Sequence, residues 1–260
     1  MSSSYVDRSK LSANVHKLAI LEDRTGVEEL KHQGKLLMRD LIKITPPTSP
    51  YANESFEDNA KGESLEDQRK IGQAAVNRDI AKNWRSANSI VRELQARNPK
   101  AAKSLANYIR TGDIAAVQRM LQKLGWKDWN RVVLSVSEAD HNKNRSSRTG
   151  RAIGSTTYVL RSNSIIQLAR TKLGHVGAAK GGWATPAIAL GAEVPAWIAG
   201  HATPGIYAPM FDGDKKSLTM GNLVPYGGHL VPGRLINNAL KMRQRSMEQR
   251  IAYKLRATVH

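Results

Sequence analysis

Apolar residues recur at helical spacing from Val27 to Ile44, through Leu30, Leu37 and Leu41, and the pattern stops at Thr45-Pro46-Pro47. Proline cannot continue the backbone ladder, so a first long helix is predicted to end there. Upstream, residues 1–26 are polar apart from a short apolar clip at Leu18–Leu21, and read as an extended arm. Downstream, Thr48–Asp67 carries six acids (Glu54, Glu57, Asp58, Glu63, Glu66 and Asp67) against Lys61. It is either a solvated loop or a strand-like arm lying on a basic neighbour.

Helical periodicity returns over Leu65–Trp84, Ala87–Ala96, Lys100–Arg110 and Asp113–Leu124. Ser64 and Asp67 form a capping-box pattern, Asn98-Pro99 and Thr111-Gly112-Asp113 punctuate, and Asp113 is a good N-cap. This block predicts a helical subdomain whose core Trp126 and Trp129 close. The period then shortens. Arg131–Val136 and Thr156–Leu160 are rich in branched residues and predict strands, and the stretch between them, His141–Arg151, is a basic hairpin loop. Ser164–Leu173 and His175–Gly191 predict two helices separated by Gly174, Lys216–Tyr226 a third strand, and Pro232–Arg256 a closing helix with Ile236, Leu240, Met247, Ile251 and Leu255 on one stripe.

The expected fold class is therefore α+β: a small antiparallel sheet packed with several helices, plus a helical insertion and an extended N-terminal arm and linker. Three regions follow: 1–64, the arm, first helix and acidic linker; 65–130, the helical subdomain; and 131–260, the α+β domain with the basic hairpin loop and C-terminal helix.

Composition refines this picture. A hydrophobic fraction of 40% over 260 residues supports a core, and the two phenylalanines leave aliphatic residues to fill it. With no cysteine, the chain has no disulfide, thiolate nucleophile or Cys-ligated zinc. The net charge of +18 is uneven, since residues 141–260 hold 17 lysines and arginines against four acids. Such a balance predicts polyanionic company, either nucleic acid or an acidic protein surface. The polar start predicts no signal peptide, and the longest apolar region, Trp183–Ala199, is too broken by Gly, Pro and Glu193 to span a bilayer, so no membrane partner is expected.

Candidate chemistry is sparse. The seven histidines show neither HExxH spacing nor a useful carboxylate pairing, so no metal ligand set or cofactor site is expected. His141-Asn-Lys-Asn shares letters with a nuclease motif but sits in the basic loop. Gly200-His201 followed by Tyr207 is similar to the end of a tyrosine-recombinase catalytic domain. No basic residue lies between Lys180 and His201, however, so the arginine that such a site requires upstream is missing.

The basic loop (Lys143, Arg145, Arg148, Arg151) and the closing helix (Arg243, Arg245, Arg250) are candidates to face DNA or an acidic partner. The segment Gly174–His201 places Trp183 and Trp197 among small residues, which suits tight helix packing. Pro195, Gly200 and Pro204-Gly205 make the following region a rigid loop. Its Trp197, Ile198, Ile206, Tyr207 and Met210, together with the acids Glu54, Glu57 and Asp58, are the candidate subunit contacts.

Four segments carry a resemblance: Leu36–Pro47 (LLMRDLIKITPP), Gly72–Ile80 (GQAAVNRDI), Val176–His201, and Ser217–Tyr226 (SLTMGNLVPY). In this order the chain resembles the neck and tail-completion (head–tail joining) proteins of tailed bacteriophages. It departs from their simplest form by the large helical block and by lacking the Asp-Thr-Gly-Arg that often follows their Thr-Pro turn. The resemblance implies a non-enzymatic structural protein of the virion, assembled in the host cytoplasm. It would form a homo-oligomeric ring, hexameric or dodecameric by the habit of the family, between a portal, adaptor or head-closure protein and the tail tube or sheath. Genomic DNA would pass nearby. A basic, non-specific nucleic-acid-binding protein is the alternative, and a DNA-processing enzyme of recombinase or nuclease type a third reading.

Overall fold

A computed structural model describes residues 23–48, 63–144, 156–202, 205–212, 216–224, 231 and 233–258. The N-terminal arm, Glu54, Glu57 and Asp58 of the acidic linker, and Arg145, Arg148 and Arg151 of the basic loop lie outside the described residues. The chain is α+β. It divides into two compact units, the second being Gln73–Gly174 and the first made of the residues on either side of it.

The first unit is organised on two long helices, α1 (Asp23–Ile44) and the closing helix Gly233–Thr258, which pack together. Arg243 of the closing helix donates to Asp40 at 2.6 Å, and Arg250 meets Glu29 at 3.5 Å. The late residue of one helix thus meets the early residue of the other, so the two run antiparallel. Burial holds the Asp40 carboxyl above its usual range, with the Arg243 guanidinium pulling the other way. The core beneath combines Leu37, Met38, Leu41, Trp183, Ile198 and Leu235.

Between the long helices in sequence lie Leu65–Asn83 (α2), whose first eight residues belong to this unit, three short helical turns and a hairpin. The hairpin strands, Ile206–Met210 and Ser217–Gly221, are antiparallel, with Ile206 opposite Gly221 and Met210 opposite Ser217. Ser64 starts α2 as expected from the capping-box pattern: its hydroxyl accepts from the Asp67 amide and donates to the Asp67 carboxylate.

The second unit holds the rest of α2, β1 (Trp84–Ser86), the helices α3 (Asn88–Arg97), α4 (Pro99–Thr111) and α5 (Ile114–Lys123), and β2 (Val132–Val133). It continues through α6 (Glu138–Lys143), β3 (Thr157–Val159) and α7 (Ser162–Gly174). Asn98 and Asp113 cap α4 and α5 by accepting from the Ala101 and Ala116 amides. Between them Gly112 has φ +77°, the left-handed stop that glycine allows.

Two expectations are corrected here. The strands read at Arg131–Val136 and Thr156–Leu160 are short and parallel, in a three-stranded sheet ordered β1–β3–β2. Parallel neighbours need a crossover, so their connection is not a hairpin loop. It contains α6, opened by a capping box between Ser137 and Asp140. Nor does the expected boundary near residue 130 exist. Val132, Tyr158 and Leu160 share one core with Ile90, Leu105 and Val117 of the helices, and the half-buried Trp126 and Trp129 pack on it. Trp126 meets Tyr158 edge-on, with ring centroids 6.4 Å apart.

A buried polar chain ties β1 to the crossover. The Trp84 indole N–H donates to His141 Nδ1 at 3.0 Å, and His141 Nε2 lies 3.1 Å from Asp79 Oδ2. An indole nitrogen only donates, so a neutral His141 carries its proton on Nε2 and donates it to Asp79. His141 is 1% exposed and serves packing here, not a nuclease-like surface. Replacing Trp84 with Phe leaves the Nδ1 acceptor buried without its donor. We expect a loss of about 1–3 kcal/mol in urea unfolding, and an unchanged midpoint counts against the chain described.

Candidate functional site

The end of α1 creates a hydrogen-bonding problem. A helix leaves its last carbonyls without partners, and the usual remedy uses the amides of the residues just past the end. Here those residues are Pro46 and Pro47, which have no N–H. The sequence supplies side chains in their place. The Thr45 amide and hydroxyl both donate to the Leu41 carbonyl, at 3.1 and 2.6 Å. Gln68 Nε2 of α2 donates to the Lys43 carbonyl at 3.0 Å. Lys180 Nζ donates to the Ile42 carbonyl at 2.6 Å, to Gln68 Oε1 at 2.8 Å, and to the Thr45 carbonyl. Trp183 Nε1 completes the set by donating to the Thr45 hydroxyl at 3.0 Å.

Lys180 is fully buried, and burial pushes its amine down to about 7, with Glu63 opposing the shift. An amine titrating near neutrality suits Schiff-base chemistry. This one is closed to solvent and gives all three protons of its charged form to protein oxygens, so it acts as a clamp on the helix end.

The glycines around the clamp stand where neighbouring groups leave no room for a Cβ. A Cβ on Gly181 would lie 2.4 Å from the His201 carbonyl oxygen, and one on Gly182 would lie 1.8 Å from Asn222 Oδ1. Asn222 in turn donates to the Ala179 carbonyl and accepts from the Val224 amide, an Asx turn that ends the second hairpin strand at Gly221. Gly72 abuts Pro47 and Val176. Gly72, Pro47, Val176 and Asn222 thus bring four separate stretches of the chain together beside the clamp. Instead of the single helix expected over His175–Gly191, two short ones form, Ala178–Gly181 and Ala184–Ala189. Gly177, with φ +99° and the Trp197 ring against its Cα, starts the first.

The candidate contact residues separate on burial. Ile198 is fully buried in the core of its own unit and is withdrawn as a surface contact. Trp197 is half-buried against the same core and Gly177, with its indole N–H buried. Ile206 and Tyr207 are half-buried, while Met210 is exposed at 55%. Within the stretch expected to be a rigid loop, Ala196–Ala199 is a helical turn and Ile206–Met210, with Pro209 in it, is the first hairpin strand. Leu223 and Ile188 add exposed apolar surface on adjoining elements.

The candidate cations separate too. Arg243 is turned inward to Asp40, so it is not an outward-facing residue, and Arg250 is held beside buried Glu29. Lys143 and Arg245 are exposed. An open cleft of about 560 Å³ is lined by Lys35, Arg39 and Lys43 on one face of α1, facing Glu193, Val194 and Pro195. Sequence reading missed both this basic row and Lys180. The row was legible as cations at i, i+4 and i+8, and Lys180 as a lone cation in a run of small apolar residues.

Among the described residues no three His, Cys, Asp or Glu side chains converge as a metal site, and no helix is long and apolar enough to cross a membrane. No protein family, curated protein or solved structure matches the chain.

Two outcomes test the clamp. The folded chain releases the Lys180 proton near pH 7 and the unfolded chain near 10.5, so between these values the unfolded state binds more protons. Stability then rises with pH through that window, by up to about 1.4 kcal/mol per unit, and falls as pH drops back through 7. Lys180→Met should lower stability and remove this component of the slope in denaturant titrations, and parallel slopes would refute the assignment. Gly182→Ala must displace Asn222 and should cost about 1–3 kcal/mol. Retention of full thermal stability in that variant would contradict the close approach.

Proposed function

We propose that this chain is a non-enzymatic structural subunit of a tailed-phage virion, forming a ring at the head–tail junction that joins the portal or its adaptor to the tail. The observation that carries the reading is the node at Lys180. In its support, residues of the segments Leu36–Pro47, Gly72–Ile80, Val176–His201 and Ser217–Tyr226 touch in the first unit: Lys180 and Trp183 bond to Ile42 and Thr45, Gly72 abuts Pro47 and Val176, and Asn222 bonds to Ala179.

Two surfaces fit assembly with like subunits. Met210, Leu223 and Ile188 are exposed apolar residues of the kind that anchor subunit contacts. The row Lys35, Arg39 and Lys43 in its cleft complements an acidic segment such as that containing Glu54, Glu57 and Asp58 on the next copy. Two different patches meeting in this way make a head-to-tail contact, which closes into a ring when the rotation permits.

The test is the mass of the purified full-length chain across concentration by sedimentation, together with co-fractionation with portal and tail proteins. A persistent monomer that joins neither fraction overturns the reading. Met210→Glu and the double change Lys35→Glu, Arg39→Glu should each shift the distribution toward monomer while leaving circular dichroism unchanged. Undiminished assembly in both variants removes these surfaces from the proposal.

A further inference from the structure

Most of the net charge sits in one structural unit, +13 of the +18. The second unit, Gln73–Gly174, holds 19 lysines and arginines against six acids. Four of those acids are engaged within the unit. Asp113 and Asp140 cap helices, Asp79 meets His141, and Glu138 pairs with Lys172 at 2.7 Å. The cations of α4, by contrast, are exposed. On this helix, which packs against α3 on one side and α5 on another, residues 100, 103, 107 and 110 recur at helical spacing as Lys, Lys, Asn and Arg. All four are exposed, the buried face being Ala101, Ala102, Leu105 and Ile109.

We infer that this face of α4 binds the phosphate backbone of a nucleic acid, without reading sequence. The row spans about 15 Å of helix, enough to meet several phosphates of a duplex. Arg110 is already oriented, donating to Asn107 Oδ1 at 2.8 Å. α4 itself contains no acid. An acidic protein partner is disfavoured by what the face lacks: protein interfaces centre on buried aromatic or aliphatic anchors, and no large hydrophobic residue of α4 is exposed. The inference does not depend on ring assembly and would hold for a monomer.

The experiment measures binding of the full-length chain to a fluorescent random-sequence duplex, by anisotropy, from about 50 to about 200 mM salt. The variant is Lys100→Glu, Lys103→Glu, Arg110→Glu. A charge-matched control, Lys70→Glu, Lys241→Glu, Arg256→Glu, changes exposed cations of the first unit. Circular dichroism checks that both fold. The α4 variant should bind at least about tenfold more weakly, and its salt dependence should flatten by about 0.9 in log–log slope for each phosphate no longer neutralised, with a smaller change in the control. Equal weakening in the two variants would reduce the effect to bulk charge and overturn the assignment to α4. Failure of the native chain to bind duplex, or tighter binding to polyglutamate than to DNA, would overturn it as well.

Discussion

The first unit depends on one hydrogen-bonding requirement, the buried end of α1, which the Lys180 amine meets together with Gln68 and Thr45. A helix that finishes at Ile44 and runs straight into two prolines has no amides with which to close itself. In water this would cost little, since solvent would take the carbonyls. Here the end is buried under Trp183 and the core around Leu41, so each carbonyl requires a protein donor. Lys180, Gln68 and Thr45 answer that requirement, and the positive charge also faces the negative end of the helix macrodipole. The cost is a desolvated amine, which is why its proton is held so weakly. The clamp brings together residues more than a hundred positions apart, and so fixes the segments before and after the second unit to each other.

The same logic governs the antiparallel pair of long helices. Glu29 and Asp40 are buried on α1, and a buried carboxylate is tolerable only with a partner. The closing helix provides Arg243 and Arg250 at matching positions. Its cations consequently differ: Arg243 is turned inward, Arg250 reaches Glu29 from an exposed position, and Arg245 remains outside. Net charge counted along the chain overstates what this helix offers to a polyanion.

How much of this was legible in the sequence follows from the range of each signal. Local signals held. The stop at Pro46-Pro47, the caps at Ser64 and Asp113 and the stripe of the closing helix are all set by neighbours a few residues away. Long-range consequences did not show. Trp84–Ser86 is too short to display a strand period and exists because it pairs with Thr157–Val159. The pair β2 and β3 resembles a hairpin in sequence, since direction is a tertiary property, although the Ser137 to Asp140 capping box was a readable sign of a helix between them. Pro209 disguised the first hairpin strand, yet a proline is compatible with an edge. The small apolar residues around Lys180 marked it as out of place on a surface, but nothing local reveals that its partners are Ile42, Thr45 and Gln68.

The division into units finally explains how one chain can carry two surfaces of different character. The second unit leaves the first after Gly72 and returns at His175, and Gly72 packs directly on Val176, so the two ends of the excursion are held together within the first unit. An excursion with its own core and joined ends adds little loop entropy to the folding of its host. Like-charge repulsion in Gln73–Gly174 acts on helices whose stability comes from Ile90, Leu105, Val117 and Leu121, all buried well away from the charged faces. The first unit carries the remaining +5 and exposes the apolar Met210 and Leu223.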